Sequence, residues 1–356
     1  MDTQRIQDEV ILTRKLRDRL REASQGYSDD KIFLVFDRNT WSHCWPLVEG
    51  FRQVRTENIL VVEAGEEHKT LDGVVTIWSR FGELGIDRMS LIVNIGGGMV
   101  TDLGAFAAST LKRGIAFINI PTTLLAMVDA SVGGKSGINF RGFKNEIGVI
   151  RMPEKVFIHL PFLKTLGRDE LLSGFAELLK AGLIADAGLW KELLTADVSD
   201  PVRPEWEEWI WRAIRIKQDI VAEDLNETGA RKALNFGHTI GHAIESESLA
   251  VKTPVLHGFA VAWGMVIESR ISATQIGLPW VQQDEIEKNL IRIFGALPDL
   301  SGKVSELISW MRYDKKNSGN QIHFTLLPSI GSFEVNHTLP EGEISRYLHA
   351  AGHFNG

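Results

Sequence analysis

Asn94-Ile-Gly-Gly-Gly-Met-Val-Thr-Asp102 decides the reading of this chain. The stretch follows an apolar run from Met89 to Val93 and leads into the small residues of Leu103 to Thr110. That order spells a buried strand, a glycine turn and the start of a helix. Glycines let the backbone approach a ligand closely, and the free N–H groups of a helix N-terminus favour a phosphate. In a βα unit this is the place for a dinucleotide pyrophosphate. The spacing Gly-Gly-Gly-x-x-x-Asp is not the standard dinucleotide fingerprint, so a tight strand–helix connection remains the alternative.

Around this turn, short β-rich runs alternate with helical patterns up to about residue 160. Ile32 to Phe36, Asn58 to Val62, Ser90 to Ile95 and Ala116 to Ile120 read as strands, and Asp72 to Leu84 as a helix. Such alternation predicts a mostly parallel sheet covered by helices on both faces. From about Arg168 the texture changes. Glu170 to Ala185, Trp206 to Val221, Leu234 to Glu247, Ala260 to Gln275 and Gln283 to Phe294 carry helical periodicity, separated by Gly188 and several prolines. The expected architecture is α/β plus all-α: residues 1–165 form a Rossmann-like domain and residues 166–356 a helical one. The join from Pro161 to Leu166 is expected to line a cleft.

With 356 residues the chain has room for two domains. A net charge of −7 argues against a general nucleic-acid binder. The single cysteine, Cys44, excludes an internal disulfide and suits a reducing, cytoplasmic setting. Met1 to Leu20 is charged throughout and does not read as a signal peptide, and no apolar run is long enough for a membrane span.

Two constellations carry chemistry. In Asn235-Phe-Gly-His-Thr-Ile-Gly-His242, His238 and His242 are four apart and share one helix face, from which Gly237 and Gly241 remove bulk. His257, in Val255-Leu-His-Gly258, and Glu177, in Ser173-Gly-Phe-Ala-Glu-Leu-Leu-Lys180, are further candidates. One Glu and two His make a sensible zinc shell with a position open for substrate. Taken singly, each His is better read as satisfying a core hydrogen bond and Glu177 as the ion-pair partner of Lys180; together on glycine-flanked helices they favour a metal. The second constellation is basic: Arg113, Lys135 after Gly133-Gly134, Lys144-Asn145, Lys217, Arg231 and Lys315-Lys316. Gly133-Gly-Lys-Ser136 resembles a phosphate loop but lacks its earlier glycine, which excludes a nucleotide triphosphatase. Lysines beside glycine turns point to an anionic substrate.

GGGMVTD, RGIAFINIPTTLLAMVDASVGGKSGIN, KNEIG, SGFAELLK, LNFGHTIGHAIE and LHG stand in the order and spacing of one family. From about residue 30 to about 335 the chain resembles the 3-dehydroquinate synthases of the sugar-phosphate cyclase superfamily. The resemblance implies a Rossmann-like domain followed by a helical one, bound NAD, and zinc or cobalt. It implies Glu177, His238 and His257 as metal ligands. Cofactor contacts would be Asp37, Glu66, Lys69, Gly97, Gly98, Asp102, Thr122, Thr123, Asp129, Lys144, Phe162 and Thr165. Substrate groups would be Lys135, Asn145, Lys180, Lys217, Glu227, Arg231, Asn235, His242 and one of Lys315 or Lys316. Arg113 matches a residue that the family lends across a homodimer interface. The implied reaction turns a phosphorylated sugar acid, 3-deoxy-D-arabino-heptulosonate 7-phosphate, into 3-dehydroquinate and phosphate. It runs through transient oxidation by NAD, phosphate elimination, re-reduction and intramolecular aldol closure. Arg231 suits the substrate carboxylate through bidentate bonding.

Phe259 stands where the family commonly has a glutamate after His-Gly, and Val149-Ile-Arg-Met-Pro153 with Glu146 departs from its apolar pattern. The first change predicts an altered surround for the metal rather than its loss. Rival readings are another sugar-phosphate cyclase, such as a 2-deoxy-scyllo-inosose synthase or a sedoheptulose-7-phosphate cyclase, a metal-dependent polyol dehydrogenase, and an inactive homologue. Retention of Arg231 with Asn235 favours a carboxylated substrate over the first, and Lys144-Asn145 a phosphorylated one over the second.

Overall fold

The computed structural model describes residues 9–141, 143–313 and 321–351. The chain divides into two compact units, one of Met1–Gly167 with Ser199–Gln218, the other of Arg168–Val198 with Asp219–Gly356. A single boundary near 165 therefore misses one excursion: residues 199–218 pack with the first unit. The amphipathic spacing of that stretch shows that one face is buried, and is silent about which partner buries it.

In the first unit, among the described residues, a six-stranded sheet has the order β1-β8-β5-β4-β2-β3. Its strands are β1 (Val10–Leu12), β2 (Ile32–Asp37), β3 (Ile59–Val62), β4 (Leu91–Gly96), β5 (Ala116–Pro121) and β8 (Lys155–Ile158). Every pairing is parallel. β2 and β4 are buried along their whole length, as continuous apolar runs in a sheet covered on both faces must be. The helices α1 (Leu16–Ala23), α2 (Arg38–Val48), α3 (Leu71–Glu83) and α4 (Gly98–Thr110) alternate with the strands. Phe33, Ile92 and Phe117 of the sheet form one core with Ile77 and Phe81 of α3 and Val100 and Leu103 of α4. β6 (Lys135–Phe140) and β7 (Phe143–Ile150) add a separate antiparallel hairpin. Cys44 is 2% exposed, and burial pushes its thiol up to about 11.

The chain leaves β2 for β3 on one side and returns to β4 on the other, which makes the β2/β4 boundary the switch point of the sheet. Val35 pairs with Asn94, so Asp37 and Gly96 leave the sheet side by side. α4 is held tight against β4: a Cβ on Gly104 would run into the Asn94 amide, which itself donates to Asn119 at 2.9 Å. Gly104→Ala is accordingly expected to cost about 1–3 kcal/mol, read as a lower urea midpoint with an unchanged slope. An unchanged midpoint would show that the amide can move aside.

The second unit is built from α5 (Arg168–Ala185), α6 (Ala187–Leu193), α8 (His238–Ala250), α9 (His257–Gln275), α10 (Trp280–Phe294), α11 (Val304–Tyr313) and α12 (Glu341–Ala350). α7 (Pro204–Glu223) begins in the segment that packs with the first unit. The helical texture expected after Arg168 is present, with one addition: β9 (Ile322–Leu326) and β10 (Glu334–Leu339) form an antiparallel pair. The helix expected from Leu234 opens only at His238. Gly237 sits at φ 79°, a left-handed conformation that interrupts the spiral, and Ala230–Asn235 form a 3₁₀ turn before it. No helix among the described residues is long and apolar enough to cross a membrane.

Candidate active site

The glycine turn sits at the switch point. Gly97 is the N-cap of α4 and carries no capping side chain, which leaves the first-turn amides to a ligand. A Cβ on Gly97 would come within 3.0 Å of the Thr123 methyl, so the turn and the loop after β5 are in close contact. Asp37 caps α2 through a capping box with Thr40, its Oδ1 accepting from the Thr40 amide at 2.7 Å. Lys69 lies between two carboxylates, at 3.0 Å from Asp102 and 3.1 Å from Glu66. Burial opposes its charge, but Asp102 and Glu66 together hold its pKa above the usual lysine range. Glu66 also accepts from Asn139 Nδ2 at 3.0 Å, and Asn139 Oδ1 takes the Asn145 amide at 2.9 Å. The structure thus links Glu66, Lys69, Asp102 and Asn145 through Asn139, the last residue of the RGIAFINIPTTLLAMVDASVGGKSGIN motif, to which sequence reading assigned no role.

Asp129, in the π-helical turn Ala126–Ala130, is bound by Lys217: Nζ donates to its carbonyl at 2.6 Å and to Oδ1 at 2.5 Å. An expected cofactor residue and an expected substrate residue are therefore one pair. Thr122 and Phe162 are buried, and Thr165 turns its hydroxyl back to the Phe162 carbonyl at 2.7 Å. Lys135 and Asn145 are exposed on the hairpin, with Lys144 partly so. Arg113 is exposed at φ 68°, beside Lys112 at φ 52°.

In the second unit, three side chains from three helices converge. Glu177 of α5 is 3% exposed, and its Oε1 stands 3.4 Å from His238 Nε2 of α8 and 3.4 Å from His257 Nε2 of α9. Their ligand atoms all lie within 4.8 Å of one another. Lys180 Nζ pairs with Glu177 Oε2 and donates to the Leu234 carbonyl at 2.8 Å. The simple ion pair is thus real, yet it engages only one carboxylate oxygen.

The other oxygen faces the Nε2 atoms of both histidines, and the orientation of His238 is what calls for a metal ion. His238 Nδ1 faces the Phe236 carbonyl at 3.1 Å, and a carbonyl can only accept, so Nδ1 carries the proton. Burial, with Lys180 nearby, pushes the His238 pKa down to about 3. Its Nε2 is then a lone pair aimed at a carboxylate, which is repulsive unless a positive ion sits between. Two ligand atoms each about 2.05 Å from a tetrahedral zinc lie about 3.4 Å apart, and both imidazoles keep that separation from the carboxylate. His257 Nδ1 faces Glu245 Oε2 at 3.3 Å, which turns its Nε2 toward Glu177. Without a metal, burial opposes a charge on His257, but Glu245 and Glu177 outweigh it and raise its pKa to about 9. Burial alone would raise the Glu177 pKa; Lys180 and His238 instead hold it well below the carboxylate range. His242 is partly exposed, its ring 5.1 Å from that of His238 and 5.8 Å from that of His257. The residues fit a divalent metal with a carboxylate–histidine support.

Next to this cluster, Asp224 nucleates the turn that carries Glu227 and Arg231. Its carboxylate accepts from the amides of Thr228, Gly229 and Arg231 at 3.0, 2.7 and 3.1 Å. Arg231 is 2% exposed and its Nη1 donates to the Leu225 carbonyl at 2.7 Å. Asn235 Nδ2 donates to Glu227 Oε1 at 2.8 Å, and Glu227 holds φ 61°. Lys180, Glu227, Arg231, Asn235 and the three candidate ligands are thus assembled in one unit. Lys315 and Lys316 lie outside the described residues. Sequence reading missed Asp224 and Glu245; the second is legible as an acid inside the apolar run of α8.

The Phe259 ring packs edge-on against Phe294 of α10 at 5.5 Å and against Trp263 at 6.3 Å. Arg151 lies 5.8 Å over the Phe117 ring, and its backbone amide donates to the Gly134 carbonyl at 2.8 Å.

Residues 59–173 match the family model described as 3-dehydroquinate synthase N-terminal, and residues 174–317 the one described as 3-dehydroquinate synthase C-terminal. A 3-dehydroquinate synthase of Parabacteroides distasonis is 41% identical over 342 residues, which is 96% of this chain and 97% of that protein. One of Helicobacter pylori is 38% identical over 293 residues, 82% of this chain and 83% of that protein. Among solved structures, a 2-epi-5-epi-valiolone synthase from Streptomyces hygroscopicus with NAD+ and Zn2+ bound matches at TM-score 0.84. It is 24% identical, with 97% of this chain and 96% of that chain covered. A 2-deoxy-scyllo-inosose synthase complexed with carbaglucose-6-phosphate, NAD+ and Co2+ matches at TM-score 0.80 and 23% identity, covering 96% of each chain. At these identities the likeness shows the fold, a Rossmann-like domain with a helical one. By both halves of its sequence and by the relatives that span it, the chain belongs to the 3-dehydroquinate synthase family.

Proposed function

We propose that this chain converts 3-deoxy-D-arabino-heptulosonate 7-phosphate to 3-dehydroquinate and phosphate, a carbon–oxygen lyase reaction, with NAD and a divalent zinc or cobalt ion. The observation that carries this reading is the Glu177–His238–His257 cluster, assembled in one unit with Lys180, Glu227, Arg231 and Asn235. When bound, the ion would polarise a substrate hydroxyl while the nicotinamide accepts and returns a hydride.

The chain's own groups supply the rest. Gly97 and Gly98 would offer the α4 amides to a pyrophosphate, and Asp37, Glu66, Lys69, Asp102, Thr122, Thr123, Asp129, Lys144, Phe162 and Thr165 would hold the rest of the dinucleotide. Arg231 offers its planar fork to the substrate carboxylate. Lys135, Asn145 and Lys217 take the substrate's anionic groups, and Arg113 of a second copy completes the phosphate site in a homodimer. Lys180 and His242 orient hydroxyl groups and relay protons; no strong protein base is needed where the departing phosphate can remove the proton. A reducing, cytoplasmic compartment suits the single cysteine.

The test is incubation with the heptulosonate phosphate, catalytic NAD and zinc or cobalt. Free phosphate and dehydroquinate are expected in equal amounts, with no NADH accumulating. NADH appearing in step with oxidation of a simple polyol would overturn the reading in favour of a dehydrogenase. Preferred turnover of a sugar phosphate without a carboxylate would place the chain with another cyclase.

A further inference from the structure

The three helices that present Glu177, His238 and His257 are tied together by caps passed from one helix to the next. α8 begins at His238, and its N-cap, Gly237, has no side chain to accept from the first turn. The acceptor comes from α9 instead. Glu268, 0% exposed, takes the Gly237 amide on Oε2 at 2.6 Å and the Ile240 amide on Oε1 at 3.2 Å. α9 in turn begins at His257 behind Leu256, which makes no side-chain cap. There the Gly258 amide donates to Ser173 Oγ at 2.9 Å. Ser173 lies on α5, one turn before Glu177. The order of support is therefore α5 to α9 to α8, and each capped helix starts at a candidate ligand histidine.

The helix contacts leave little play. A Cβ on Gly241 would lie 2.9 Å from Val261 Cα and 3.0 Å from the Ala260 carbonyl, so α8 and α9 meet backbone to backbone. A Cβ on Gly258 would overlap the Ser173 backbone, so α5 and α9 do the same. A fully buried carboxylate is costly unless its oxygens are satisfied, and the positive end of a helix is a favourable place for it. A local cap is ruled out at α8, because Gly237 is left-handed and a Cβ there would lie 2.8 Å from the Val261 carbonyl, so the acceptor must come from another element. This chain draws its acceptors from the helices that carry the other two members of the cluster.

We propose that Ser173 and Glu268 are positioning residues for the metal: they fix where α9 and α8 begin, and thereby the separation at which His257 and His238 meet the Glu177 carboxylate. The inference rests on the metal reading proposed above. Metal-stripped full-length protein is titrated with Co2+, with affinity measured by competition with a chelator and geometry by the visible d–d absorption. Glu268→Ala is expected to weaken Co2+ binding by about 10–100-fold and to alter the band, as lost support of ligand side chains does. Ser173→Ala follows in the same direction by less, and Glu268→Gln, which keeps one carbonyl acceptor, recovers part of the affinity. Leu348→Ala in α12 is the control for stability: Leu348 is buried, and its truncation is expected to lower the melting temperature without moving affinity or band. Should Glu268→Ala fail to fold, Ser173→Ala and Glu268→Gln decide the matter. Cap variants that melt early yet bind Co2+ like the parent would overturn the inference while leaving the metal reading intact. A parent protein that does not bind Co2+ would overturn the metal reading, and this inference with it.

Discussion

Removing the divalent ion with a chelator is expected to abolish turnover, with recovery on adding zinc or cobalt; Glu177→Ala is expected to abolish it without recovery. A bound metal supplies several kcal/mol of charge stabilisation, so a loss of about 10³-fold or more, about 4 kcal/mol, is the scale to look for. The variant has a second consequence. Lys180, with a side chain 4% exposed, would keep its bond to the Leu234 carbonyl but lose its carboxylate partner. Breaking a buried pair from one side costs about 3–5 kcal/mol, so the metal-free variant should also unfold early. The parent should gain stability from zinc, about 2.7 kcal/mol at a hundredfold excess over Kd, and the variant should gain none. Full activity of the parent in rigorously metal-free buffer would end the metal assignment. The same site sets a pH dependence. His257 is raised from 6.5 to about 9 in the metal-free protein, so its charge stabilises the fold below about pH 6.5, and that contribution fades as pH climbs through about 9. An incoming ion must displace that proton, so metal affinity should rise across the same interval. His238, held near 3, and Glu177, held low, have no proton to give up at neutral pH. Calorimetry in buffers of different ionisation enthalpy should therefore detect about one proton released per ion near neutral pH.

The first unit is legible because its signals are local. β2, β4 and β5 are short apolar runs, and the glycines of Gly96 to Gly98 mark the turn into α4 within a few residues. The spacing of His238 and His242 likewise announces a helix, although the left-handed Gly237 that delays its start does not show in a pattern of apolar positions. The metal cluster is a harder case. Glu177 is 61 residues from His238 and 80 from His257, and composition alone leaves its pairing with Lys180 the simpler reading. What decides between them is the orientation of His238, set by the Phe236 carbonyl, and no residue pattern records that. Asp224, Asn139, Ser173 and Glu268 escape for one common reason. Each acts by accepting backbone amides or by bridging other groups, and a backbone amide has no residue identity by which a sequence could name its partner, even where Asn139 and Ser173 stand inside quoted motifs. Glu268 is 31 residues from Gly237, the amide it caps. An acid in the apolar stretch of α9 says that a buried partner exists without saying where.

Arg231→Lys is the substitution with the next largest expected effect, because it keeps the charge and removes the fork. Arg231 is 2% exposed on a turn whose amides are gathered by Asp224, and its Nη1 already serves the Leu225 carbonyl. A guanidinium has further donors in the same plane, which lets one side chain hold the turn and still meet a carboxylate in two parallel bonds; an ammonium on a flexible stem cannot do both. Losing a buried, charge-assisted contact costs about 2–5 kcal/mol, so kcat/KM for the heptulosonate phosphate should fall by about 30-fold or more. NAD binding, followed by fluorescence quenching, should stay near the parent value, because Arg231 is not among the proposed dinucleotide contacts. Some loss of stability is expected as well, about 1–3 kcal/mol, if lysine cannot reach the Leu225 carbonyl. That loss alone would depress activity on every substrate alike. The carboxylate role makes a narrower claim: a sugar phosphate without the carboxylate should be turned over by parent and variant at rates that differ far less than those for the natural acid. Equal defects on both substrates would assign Arg231 to holding its turn, and the carboxylate would have to be sought by another cation.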